Sequence, residues 1–135
     1  QYERHHGIQR WLQDLNRVYK NEPALYEMDF ENSGFRWIDA SDWEQSVVSF
    51  IRRGKTARES MLVVCNLTPV PRCNYRVGVP SSGFWKEILN SDSKEYWGSG
   101  HGNFGGVEST PIPIHGMRNS ISLTLPPLGI IILKG

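Results

Sequence analysis

Between Glu3 and Tyr19 the apolar residues Ile8, Trp11, Leu12, Leu15, Val18 and Tyr19 recur at intervals of three and four, with Gln9, Arg10, Gln13, Asp14, Asn16 and Arg17 between them. That spacing gathers the large side chains on one stripe of an amphipathic α-helix. Asn21 and Pro23 predict its end. Beyond them, runs rich in β-branched and aromatic residues are bounded by Gly, Pro, Asn and Ser. They fall at Phe35 to Asp39, Val47 to Arg53, Met61 to Leu67, Tyr75 to Val79, Trp85 to Leu89, Ile121 to Leu125 and Leu128 to Leu133. Short strands at this spacing predict an all-β fold, an antiparallel β-sandwich preceded by one helix. The helix's apolar stripe has almost nothing of its own to pack against in this pattern, so the chain reads as a piece of something larger.

Details of the runs refine the picture. Ser120-Ile121-Ser122-Leu123-Thr124-Leu125 alternates as a half-buried strand does, whereas Met61-Leu62-Val63-Val64-Cys65 is continuous and reads as a central strand. Pro69 and Pro71 close that strand, Pro80-Ser81-Ser82-Gly83 makes a turn, and Pro126-Pro127 separates the last two runs. Asn90 to Gly116 carries glycines at 98, 100, 102, 105 and 106 and little apolar periodicity, which predicts a long loop with a short helical turn. No repeat or linker marks a second full domain.

Composition changes little. The 135 residues are 39% hydrophobic and 21% charged, ordinary for a soluble globular protein. Fifteen basic against fourteen acidic residues give a net charge of +1, with Arg52, Arg53 and Lys55 the one tight basic cluster, so neither nucleic acid nor an anionic membrane is expected as a partner. The most apolar stretch, Leu128 to Leu133, is far shorter than the roughly 20 residues needed to span a bilayer, and no signal-peptide pattern is present. Cys65 and Cys73 form neither a CxxC pair nor a disulfide framework and read as reduced thiols of a cytoplasmic protein.

Candidate chemistry is sparse. The local carboxylate pairs Asp29 with Glu31, Asp39 with Asp42, and Asp92 with Glu95 sit among turn residues, where such side chains bond nearby backbone amides. His5-His6 lacks further ligands for a metal and reads as a solvated helix start. His101 and His115 have no evident partner. No nucleophile elbow surrounds Ser82 or Ser99, and Gly98, Gly100 and Gly102 lack the strand-to-helix unit of a dinucleotide loop. Asn66-Leu67-Thr68 matches a glycosylation acceptor only incidentally, given the following proline. Five Trp and five Tyr are many for this length. Trp11 belongs to the helix's packing stripe and Trp85 to the sandwich core.

Several runs, in order and spacing, resemble the carboxy-terminal end of the glycogen branching enzymes of the α-amylase superfamily. They are His6-Gly7-Ile8-Gln9-Arg10, Asp14 to Tyr19, Pro23-Ala24-Leu25, Phe35-Arg36-Trp37-Ile38-Asp39, Ser46-Val47-Val48-Ser49-Phe50 with Arg52 and Arg53, and Asn66 to Arg72. Tyr75 to Pro80, Gly83 to Asp92 and Leu125 to Gly129 complete the set. The resemblance covers nearly the whole chain. It implies that residues 1–22 are the last helix of a catalytic β/α barrel and residues 23–135 the C-terminal all-β domain. Such enzymes cleave an α-1,4-glucan, hold the fragment covalently and pass it to a 6-hydroxyl to form an α-1,6 branch. Their aspartate nucleophile, glutamate acid/base and second aspartate lie on barrel strands upstream, so no residue here inherits a catalytic role and the chain alone is expected to be inactive, with no metal or cofactor. The implied partners are the enzyme's own barrel and the α-glucan, glycogen. Runs Asn66-Leu67-Thr68-Pro69 and Glu87 to Asp92 favour this family over debranching enzymes or glucanotransferases of the superfamily.

Within that resemblance Trp37, with Arg36 or Asp39, is the expected glucan-side border with the barrel. Tyr96 and Trp97 are second candidates for an exposed sugar platform. The competing expectation is an independent carbohydrate-binding or interaction module that uses an exposed aromatic strip.

Overall fold

The run Met61 to Val64 is buried because it serves two cores at once. In the computed structural model, which describes residues 2–56 and 59–135 and Arg4 by its backbone alone, the chain runs α1 (Tyr2–Asn21), β1 (Phe35–Asp42), β2 (Val47–Arg53), β3 (Ser60–Asn66), β4 (Arg72–Val79), β5 (Phe84–Asn90), β6 (Gly106–Glu108), β7 (Asn119–Leu125) and β8 (Gly129–Lys134). Short 3-10 turns lie at Pro23–Leu25, Asn32–Gly34 and Lys94–Tyr96. Six strands form one antiparallel sheet in the order β1-β2-β3-β8-β5-β6, and β4 pairs with β7 in a second, two-stranded sheet.

Leu62 and Val64 point into the core between the sheets with Ile51, Val77, Trp85, Ile121, Leu123, Ile131 and Leu133. Met61 and Val63 point the other way, into a second core with Leu89, Ile132 and Ala24. Successive strand residues face opposite sides, so a strand apolar at every position must be covered on both. The cover on the outer side is α1, through Trp11, Leu15 and Val18. The fold therefore has three layers: helix, six-stranded sheet, two-stranded sheet.

This corrects the expectation of a stripe with nothing to pack against. Half of it, Trp11, Leu15 and Val18, is seated on the sheet. The other half stays in solvent, with Ile8 61% and Leu12 52% exposed and Tyr19 close behind. Three further ties fix the helix. The Tyr96 hydroxyl donates to Asp14 at 2.6 Å, its ring meets Trp11 edge-on at 5.3 Å, and Lys134 Nζ lies 2.6 Å from Glu22. Gly7 is buried where the helix crosses the Lys94–Tyr96 turn; a Cβ there would come 2.7 Å from the Tyr96 carbonyl oxygen.

Each expected strand is present, and Trp85 is fully buried as expected. The segment read as a long loop contains the expected helical turn but also β6, three residues that the glycines around them concealed. Asn66, 1% exposed, ties two turns together: its amide donates to the carbonyls of Val70 and Pro126, and its oxygen accepts from the N–H and hydroxyl of Thr68. Among the described residues, no helix is long and apolar enough to cross a membrane.

Candidate functional site

β1 is an edge strand, and its pairing with β2 decides what its side chains meet. Phe35 stands opposite Arg52, Arg36 opposite Ile51 and Trp37 opposite Phe50. Directly opposed residues share a face, and Phe50 packs against the outer core beneath α1. Trp37 and Phe35 therefore project on the helix side of the sheet. The Trp37 ring lies edge-on to Phe35 at 5.0 Å and to Phe50 at 5.8 Å, yet the side chain is still 54% exposed. Beside these rings an apolar groove of about 480 Å³ runs between α1 and the sheet, lined by Trp11, Leu15, Tyr19, Phe50, Val63 and Ile130 among others.

The groove's rim is polar and fixed. Arg52 forms an ion pair with Asp29, and the Tyr19 hydroxyl donates to the same carboxylate at 3.2 Å. The Arg52 hydrogen bond holds the Asp29 carboxyl below the usual range. Asp29 therefore pairs across the fold with Arg52 rather than capping local backbone, which corrects the turn reading for this residue.

Asp39 is elsewhere. Residues two apart in a regular strand share a face, but the β1 register shifts between Trp37 and Asp39, so Asp39 stands opposite the buried Ser49 and turns toward the two-stranded sheet. There its carboxylate accepts from the N–H and hydroxyl of Ser41, both at 2.8 Å, and lies 3.4 Å from His115 Nε2. Burial pushes this carboxyl up, but the Ser41 bonds and the neighbouring His115 outweigh it and hold it below the usual range. His115 Nδ1 in turn accepts from the Gly78 N–H at 3.1 Å, an arrangement that leaves Nε2 as the N–H facing Asp39. Next to this pair Asp42 accepts from the Tyr75 hydroxyl at 2.6 Å. Arg36 is exposed on the same side as Ile51. Trp37 thus stands apart from both residues grouped with it in sequence, and it is joined instead by Phe35 and Phe50. Their strand spacing of two carried that signal in the case of Phe35.

The second candidate pair also divides. Tyr96 is half-buried and spent on Asp14 and Trp11; burial and the Asp14 carboxylate push its phenol well up. It anchors α1 and offers no open platform. Trp97 is exposed, at a left-handed φ of 67°, with its indole edge close to Gly7. Several exposed rings went unread in sequence, among them Phe30 ahead of β1, Trp43 in the β1–β2 turn and Phe104 before β6; aromatics at turn positions were the available signal.

The remaining candidates are structural. Asp92 accepts from the N–H and hydroxyl of Ser99 and from the N–H of His101, organising the loop after β5. Burial pushes Asp92 up, and these bonds more than reverse it. His101 therefore does have a partner: its Nδ1 lies 2.9 Å from the Ser99 hydroxyl. His5 and His6 are exposed, and among the described residues no group of three or more His, Cys, Asp or Glu is placed to hold a metal ion.

Comparison with known proteins matches this architecture. The chain is 60% identical over 134 residues to the 1,4-alpha-glucan branching enzyme GlgB of Aquifex aeolicus, covering 99% of this chain and 21% of that protein. It is 53% identical over 129 residues to the enzyme of the same name from Aromatoleum aromaticum, covering 96% of this chain and 20% of that protein. With the one from Thermosynechococcus vestitus it shares 52% over 134 residues, covering 99% and 18%. The chain spans about a fifth of the length of these relatives. The family profile described as the alpha amylase C-terminal all-beta domain matches residues 37–135, from Trp37 through β8, and the chain belongs to that family.

Proposed function

We propose that this chain is the C-terminal part of a 1,4-α-glucan branching enzyme. In that enzyme α1 packs its exposed half into the catalytic barrel as the barrel's last helix, the all-β part stabilises the barrel, and Trp37 borders the glucan path. The observation that carries the reading is the 60% identity to a branching enzyme over 99% of this chain. The exposed half of the helix stripe supports it, because Ile8 and Leu12 lie in the stretch that the resemblance assigns to the last barrel helix. Burying such side chains is worth about 1.5–3 kcal/mol each, a gain that the isolated chain forgoes. The resemblance places the bond-breaking carboxylates on the barrel, and in this chain Asp29, Asp39, Asp42 and Asp92 serve as structural acceptors. The expected setting is cytoplasmic.

The test is a chimera in which this chain replaces the matching residues of the Aquifex aeolicus relative. It is expected to form α-1,6 branches in amylose, read by the loss of iodine absorbance and by isoamylase digestion. A folded chimera without branching activity overturns the proposal.

A further inference from the structure

We propose a second sugar site, separate from Trp37: the cleft between β5 and the loop that follows it, with Phe104 as the stacking surface and an α-glucan chain as its ligand. The choice of glucan rests on the branching-enzyme reading; the site itself rests on the geometry.

The cleft holds about 310 Å³ and is open to solvent. Glu87, Asn90, Ser93, Glu95, Tyr96 and Phe104 are among the residues that line it. Glu87 and Asn90 are held in place by partners within the fold. Asn90 donates to the His101 carbonyl at 2.7 Å, and Glu87 accepts from the Asn103 amide at 2.7 Å. Gly102 closes directly onto these two side chains, since a Cβ there would lie 2.5 Å from the Asn90 amide nitrogen. Carboxylates, an amide and a hydroxyl around one cleft suit the ring of hydroxyls on a neutral sugar. The two carboxylates disfavour an anion.

Phe104 gains nothing from the fold. Its side chain is fully exposed, at 107% of the reference area. It sits at φ 51° and Gly105 at φ 94°, in a turn closed by the Gly106 N–H on the Asn103 carbonyl at 3.1 Å. Turns with two successive left-handed residues favour Asn-Gly, and an aromatic residue in the first place is both strained and bare. A local rule broken without a folding gain points to function. A flat ring beside a hydroxyl-binding cleft fits a pyranose, which has one apolar C–H face and a polar rim.

The experiment is a titration of the isotope-labelled chain with maltoheptaose, following the backbone amides of Gly100, Gly102 and Gly105 and the side-chain amide of Asn90. Saturable shifts in these signals are expected. In Phe104→Asn the Kd is expected to weaken about tenfold while Tm stays level or rises, because Asn suits the turn better. An unchanged Kd in the variant overturns the site. So do shifts confined to Phe35, Trp37 and Phe50, which would leave the branching-enzyme reading standing.

Discussion

The hydroxyl of Tyr96 reaches across 82 residues of sequence to donate a 2.6 Å hydrogen bond to Asp14, and its ring closes edge-on against Trp11. This contact fastens the helix to the loop after β5. Replacing Tyr96 by Phe removes a bond to a charged acceptor and is expected to cost about 1.5 kcal/mol in urea unfolding. Asp14→Asn in the same background should add less than it does alone, because the two changes share one interaction.

Gly7 makes the same contact possible from the helix side. Alanine is the better helix former by about 1 kcal/mol, yet Gly7→Ala is expected to destabilise the chain by about 1–3 kcal/mol, because its Cβ meets the Tyr96 carbonyl oxygen and the Trp97 ring. Hydrogen exchange should then speed up in α1 and leave β3 and β8 protected. Stabilisation by this substitution would contradict the packing described.

Trp37 and Asp39 are expected to separate functionally, as they do in space. Trp37→Ala should cost the chain about 1–2 kcal/mol, since the half-exposed ring loses its edge-on contacts with Phe35 and Phe50, and it should reduce branching by the chimera by more than that loss of stability explains. Asp39→Asn weakens the Ser41 and His115 contacts and is expected to lower Tm with branching retained. Kinetics and calorimetry on the two variants check both halves.

The pH dependence has a definite sign. Asp29, Asp39 and Asp92 are held below the ordinary carboxyl value of 3.8 in the folded chain. Each contributes stability that is present above that value and is lost as pH falls through the folded one. Acid unfolding is therefore expected below about pH 4, and Asp92→Asn should flatten that limb. At the other end Tyr75 and Tyr96 are raised above the ordinary 10.0. Their stabilisation is complete below pH 10 and declines as pH rises beyond it. Urea midpoints across pH measure both limbs.

What the sequence disclosed, and what it hid, follows from the range of the interactions. The continuous run Met61 to Cys65 predicted a central strand because continuity reports burial on both faces. That the second of those faces is covered by α1 was not read, because the helix and the run lie about 40 residues apart and only the fold brings them together. The separation of Trp37 from Asp39 was illegible because a register shift in β1 leaves no local mark, and a period of two placed both on one face. Tyr96 looked like an exposed ring in a glycine-rich loop; its partners on α1 lie 82 and 85 positions away in sequence, beyond any local pattern. The structural role of the Asn66 amide was not read from the sequence, since both carbonyls it binds belong to turns brought together by the fold.

The most direct measurement compares the melting of the isolated chain and of the chimera, each with and without Ile8→Ser and Leu12→Ser. These side chains are largely solvated in the chain alone, so its Tm should move by no more than a degree or two, on the order of a surface substitution's effect. In the chimera the same pair is expected to lower the transition that includes this domain by about 5 °C or more, as buried apolar positions would. Equal responses in the two proteins would contradict the docking of α1 against the barrel.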